Sequence, residues 1–166
     1  FKGVHNGKLS SLECHDLMCK IGDVVVVGGV RRSAMISLSN LSDDRMRHAK
    51  SGMWWENAPH RRLANNSVAY TEKPDSETFL REWTALVGSK SGERGVFNRQ
   101  ASKAQAAKNG RRDPDWEFGC NPCSEIILRP YQFCNLTEVV IRATDTLKSL
   151  AHKVRLATIL GTIQST

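Results

Sequence analysis

Three side chains able to do chemistry stand at alternate positions of one short stretch. They are an amide at Asn121, a thiol at Cys123 and a carboxylate at Glu125, and a second thiol, Cys134, follows eleven residues after Cys123. Pro122 pushes Asn121 out of the helical region toward the extended one. In an extended backbone, side chains at i, i+2 and i+4 point to one side, about 7 Å apart along the chain. The stretch is expected to offer a hydrogen-bond donor, a sulfur and a proton acceptor as one row, aimed at one small molecule.

Other chemistries compete for the same residues. Cys120 and Cys123 form a C-x-x-C, and a structural zinc commonly takes two such pairs. The other pair, Cys14 and Cys19, sits on an expected helix about 140° apart around its axis, poor geometry for a shared metal. A thioredoxin-like motif needs its cysteines at a helix start, whereas Glu125–Leu128 reads as a strand. Buried, inert thiols are the plain alternative, but they leave the alternation of Asn, Cys and Glu unexplained. Upstream, Gly28-Gly29-Val30-Arg31-Arg32 follows a β-branched run. That is where phosphate-binding turns sit in α/β proteins, and equally where a tight turn needs glycine. The loop holding Arg61, Arg62, Asn65 and Asn66 carries donors suited to bases and phosphates, or it is a solvated connection. His48 and His60 have no partner at metal-ligand spacing.

The elements that must position these groups read as alternating helices and strands. Apolar residues from Leu9 to Ile21 predict a helix stopped by Gly22. Val24–Val27 reads as a strand buried on both faces, as in parallel sheets. Ala34–Leu38 is a second extended piece, and Ser42 is expected to cap a short helix over 43–50, acidic first and basic last. Residues 53–66 read as an ordered loop and 66–71 as a strand. Asp75 or Ser76 caps a helix whose stripe is Phe79, Leu80, Trp83, Leu86 and Val87, stopped at Gly88. Gly95–Asn98 is a short strand, and 100–115 reads as mobile. Extended pieces at 125–128 and 136–141 precede a long helix opened by Asp145. This alternation predicts the α/β class.

The chain has 166 residues, 40% hydrophobic and 25% charged, enough for one domain with a core. No apolar run approaches the roughly 20 residues of a membrane span, and no signal peptide opens the chain. Five cysteines without a secretory signal predict a reducing cytoplasm. A net charge of +7 favours an anionic partner, with polyphosphates suiting it as well as nucleic acid, or marks a basic solvated face. Phe1 is not an initiator methionine and no stop signal closes the sequence, so 1–166 is expected to be one partial domain, cut at both ends.

Asn121-Pro-Cys123-Ser-Glu125-Ile, followed by Phe133-Cys134-Asn135-Leu136-Thr137-Glu138-Val139, resembles the active-site segment of ribonucleotide reductases. Gly28-Gly29-Val30-Arg31-Arg32-Ser33-Ala34 matches that family's upstream glycine-arginine segment, in the right order. The wording is most similar to the class II, adenosylcobalamin-dependent kind, especially monomeric enzymes that reduce ribonucleoside triphosphates. The resemblance implies the central part of a ten-stranded α/β barrel whose finger loop carries a radical cysteine, Cys123. It implies that Glu125 accepts the 3′-hydroxyl proton, that Asn121 binds substrate hydroxyls and that Cys134 is one of two reductant cysteines, its partner lying outside this chain. Gly28, Gly29, Arg31, Arg32, Arg61, Arg62, Asn65 and Asn66 would contact substrate or effector. The implied partners are a ribonucleotide substrate, a deoxynucleotide effector and thioredoxin or a similar reductant, with no membrane and no direct nucleic acid. Cys120 stands where many members have threonine or serine. The alternatives are a class I large subunit using a separate radical-generating protein, and a basic zinc-containing nucleic-acid-binding module.

Overall fold

The structure is a computed structural model that describes residues 7–27, 30, 31 and 34–164, with the backbone alone at 26, 27, 30 and 31. It is of mixed helix and strand and divides into two compact units, one up to Tyr131 and one from Gln132.

The first unit is built on a parallel sheet of β3 (Met35–Ser39), β4 (Ala64–Tyr70) and β5 (Gly95–Asn98), with β4 in the middle. Met35 pairs with Ala64 and Ser39 with Val68 on one side, and Ser67 with Gly95 and Tyr70 with Asn98 on the other. β4 is buried along its length except at Asn65. A strand enclosed on both faces needs small or apolar residues there, and its buried polar groups need partners. Asn66 takes two: its Oδ1 lies 2.9 Å from His15 Nε2, and its N–H donates to Glu93 Oε2 at 3.2 Å. Ala69, Phe97 and Cys120 form the centre of the core beneath Ile36 and Leu38.

Helix α1 (Ser11–Val24) packs against the short helical turn Pro59–Leu63 that leads into β4. It is capped by Ser10, which accepts from Glu13 N while Glu13 reaches back to Ser10, a capping box absent from the periodicity argument. The helix does not stop at Gly22 but runs on through Val24, which is 82% exposed. That continuation consumes the start of the expected Val24–Val27 strand. What remains, β1 (Val26–Val27), pairs antiparallel with β2 (Val30–Arg31), so the expected parallel strand is overturned. Gly28, Gly29, Arg32 and Ser33 lie outside the described residues.

Between β3 and β4 come α2 (Asp44–Arg47), capped by Asp43 rather than Ser42, and α3 (Trp54–Asn57), so much of the expected loop is helical. Helix α4 (Ser76–Ser89), capped by Asp75, connects β4 to β5. Its position is as expected, but its orientation inverts the usual pattern. Phe79, Leu80, Trp83 and Val87 are exposed, with the Phe79 and Trp83 rings stacked at 6.3 Å, while Glu82 is buried. Two buried arginines cause this: Arg47 Nε donates to Glu82 Oε2 at 2.9 Å, and Arg94 donates to both oxygens at 2.5 and 2.7 Å. Of residues 100–115, expected to be mobile, 100–107 belong to α5 (Arg99–Ala107), capped by Asn98, and 108–110 to a short helical turn.

The last pair, β6 (Gly119–Cys120) and β7 (Ile127–Leu128), is an antiparallel hairpin. The second unit holds α6 (Leu147–Ile163), capped by Thr146 rather than opened at Asp145. Residues 136–141 take part in no ladder among the described residues, and instead run beside α6: Lys153 Nζ bridges Asp145 (2.6 Å) and the Val140 carbonyl (3.3 Å). No described helix is long and apolar enough to cross a membrane.

Candidate active site

The loop 121–126 closes the β6–β7 hairpin, whose register pairs Cys120 with Ile127. Six residues that must reverse the chain cannot stay extended, and here the expected row of three side chains on one face is not formed. Instead Asn121 O accepts from Ser124 N at 2.9 Å, a tight turn completed by Ser124 at φ +68°. Positive φ is uncommon for a residue with a Cβ.

Asn121 organises the loop and is only 4% exposed. Its backbone N–H donates to the Ile126 carbonyl (3.2 Å), and its Oδ1 accepts from Ile126 N (3.0 Å). Its side-chain nitrogen donates one N–H to Glu125 Oε1 at 2.5 Å. The amide and carboxylate are thus brought together, as expected, but by a turn rather than by alternation. Cys123 sits at the bend between them with its thiol exposed. The loop thus carries an exposed thiol two residues before a carboxylate already held by a donor. Cys134 lies in the second unit and is half-buried.

Cys120 has a different environment from Cys123. It packs in the core with Ala69 and Phe97, and its Sγ lies 3.6 Å from Ser124 Oγ. Burial pushes its thiol up from the usual range, so it is held as an unreactive thiol.

Residues that sequence reasoning missed hold the hairpin in place. Arg112 donates to the Ile127 carbonyl (3.0 Å) with its guanidinium over the Phe118 ring at 5.3 Å. Arg99 Nε donates to the Phe118 carbonyl (2.8 Å), and Phe118 itself is buried. No motif marks these arginines, since their role appears only once α5 brings them back to the hairpin.

Of the expected nucleotide contacts, Arg61 grips Asp16 with two bonds of 2.6 Å and donates to the Ala49 carbonyl. Burial pushes the Asp16 carboxyl up, but Arg61, with His15 and His60, outweighs it and holds the group down to about 2. Arg62 donates to Asp23 at 3.1 Å, Asn66 is buried against His15, and Asn65 Nδ2 donates to the Pro122 carbonyl at 2.7 Å. Arg31 lies in β2.

The chain is similar to adenosylcobalamin-dependent ribonucleoside-triphosphate reductases. It is 36% identical over 138 residues to that of Lacticaseibacillus paracasei, covering 79% of this chain and 17% of the relative. To that of Levilactobacillus brevis it is 34% identical over 140 residues, 80% of this chain and 17% of the relative. To that of Lactobacillus leichmannii it is 36% identical over 138 residues, 80% and 18%. The chain therefore spans less than a fifth of the length of the curated relatives it matches. No protein-family profile matches it, and no solved structure does.

Proposed function

We propose that this chain is a segment of the catalytic barrel of an adenosylcobalamin-dependent ribonucleotide reductase. The whole protein would reduce ribonucleotides, as triphosphates, to deoxyribonucleotides in the cytoplasm. The observation that carries the reading is the loop in which Asn121 donates to the Glu125 carboxylate while Cys123, two residues before it, is exposed, in a chain similar to enzymes of that name. The finer fold, a ten-stranded barrel formed by one domain continuing beyond this chain, belongs to the same proposal. The parallel β3–β4–β5 sheet supports it.

An accessible thiol is the group such chemistry needs, and Cys123 fits it. Bound adenosylcobalamin would supply the radical chemistry that activates the Cys123 thiol. The Cys123 sulfur then removes the 3′ hydrogen of the ribose and returns it after reduction. Glu125 accepts the 3′-hydroxyl proton, a role that requires hydrogen-bond reach of that proton. Asn121, which holds Glu125, also binds substrate hydroxyls. Cys134 and a cysteine outside this chain supply two electrons and two hydrogens. The 2′-hydroxyl leaves as water, a disulfide forms, and thioredoxin or a similar reductant restores the thiols. Gly28, Gly29, Arg31, Arg32, Arg61, Arg62 and Asn66 are proposed around substrate and a deoxynucleotide effector.

The test is turnover by the full-length enzyme. Wild type requires adenosylcobalamin, and Cys123→Ser abolishes deoxynucleotide formation. Turnover retained in Cys123→Ser overturns the assignment of that residue. Activity with a metal-loaded second subunit, without adenosylcobalamin, overturns the class.

A further inference from the structure

The internal hydrogen bonds of the 121–126 loop fix its shape, but they do not fix where that shape sits on the sheet. A bond from β4 does: Asn65 Nδ2 donates to the Pro122 carbonyl at 2.7 Å, across 57 residues of sequence. We infer that Asn65 is a positioning residue for Cys123, acting through Pro122 and not by contact with a nucleotide. The inference rests on the reading that Cys123 is the reacting thiol.

The Pro122 carbonyl and the Cys123 nitrogen share one planar peptide unit, so a donor that fixes that carbonyl fixes the plane from which the Cys123 side chain springs. Asn65 is itself well held. It pairs in register with Ile36 on β3, and the buried Asn66 next to it is bound to His15 and Glu93. On its other side, the Ala64 carbonyl accepts from the buried Lys50 ammonium at 2.5 Å. Asn65 is also the one exposed position of β4, so its side chain is free to reach the loop without burying an unpaired amide. A reacting group supported from a rigid strand is held more tightly than one supported from a loop.

Displacing a reacting atom by about 1 Å costs on the order of a hundredfold in rate. Loss of one of several restraints should cost less. In the full-length enzyme, Asn65→Ala is expected to lower kcat about tenfold, equal to about 1.4 kcal/mol of barrier. KM and the half-saturating effector concentration stay within about twofold, since uniform binding is untouched. Asn65→Asp, the same shape without the donor, behaves like Asn65→Ala and is the variant read if Asn65→Ala does not fold. Asn65→Gln, which keeps the amide, recovers part of the loss. A second readout needs no turnover: the rate at which iodoacetamide alkylates Cys123, followed on its peptide by mass spectrometry. It should change at least about threefold in Asn65→Asp and move back toward wild type in Asn65→Gln.

Unchanged kcat together with an unchanged Cys123 alkylation rate overturns the inference. So does a rise in KM or in effector half-saturation with kcat intact, which would make Asn65 a nucleotide contact. Turnover retained in Cys123→Ser is a separate result: it sinks the proposed function, while the alkylation rates still report whether Asn65 holds the loop.

Discussion

Removing the Glu82 carboxylate should be the most damaging single change to the sheet. Its side chain is 4% exposed, and the guanidiniums it pairs are 3% exposed at Arg47 and 1% at Arg94. Glu82→Ala deletes three charge-assisted bonds and leaves two cations buried with their remaining acceptors. For Arg94 these are Ser39 Oγ and the Asn40 and Asp43 carbonyls, and for Arg47 they are Asp44 and the Leu41 carbonyl. Breaking a buried pair from one side costs about 3–5 kcal/mol. Glu82→Gln keeps an acceptor but not the charge, so it should cost less, about 1.5–3 kcal/mol. Replacing all three residues by apolar ones of similar volume removes the stranded charge and should cost less than Glu82→Ala. The pH dependence has a definite sign. Burial pushes the Glu82 carboxyl up, but Arg94 and Arg47 outweigh it and hold it below its ordinary 4.5. Its contribution is therefore complete above about pH 4.5 and lost as the pH falls through its lowered folded value. Urea unfolding at several pH values, with amide exchange along β3 and α4, reads both effects. A cost for Glu82→Ala below about 1 kcal/mol, or a triple replacement as damaging as the single one, would refute the reasoning.

Two further changes test separate parts of the fold. Asp16→Asn should remove a stabilisation that wild type loses between its ordinary 3.8 and about 2, so an acid titration of the two proteins should converge across that window; parallel curves would show that Arg61 does not depend on the charge. Phe118→Ala should cost about 3–5 kcal/mol in a denaturant titration, because the ring is 1% exposed and lies under Arg112; a cost under about 1 kcal/mol would mean that the hairpin stands without it.

Local signals in the sequence located most elements. Asp75 before an apolar stripe marked α4, and the β-branched and aromatic run at 95–98 marked β5. What failed depended on distant partners. Gly22 looked like a stop, but the capping box at Ser10 and Glu13 and the packing of α1 on the turn before β4 carry the helix past it. Alternation along 121–125 assumed an extended chain, and the hairpin closed by Cys120 and Ile127 forbids one. That Asn121, Cys123 and Glu125 share one short stretch was legible. Their arrangement was not, because it depends on a turn whose hydrogen bonds bind backbone rather than pattern. The inward face of Glu82 was equally hidden, since Arg47 and Arg94 lie 35 residues before it and 12 after it.

Ser124 occupies a left-handed conformation that glycine adopts with no steric cost and that a residue bearing a Cβ enters at roughly 1 kcal/mol. Its hydroxyl faces the buried Cys120 thiol, and that contact is what a serine gains there over a glycine. The two positions are therefore energetically coupled. Once Cys120 is exchanged for a residue that offers the hydroxyl no partner, glycine becomes the cheaper occupant of position 124. A change at position 120 therefore alters which residue is cheapest at position 124.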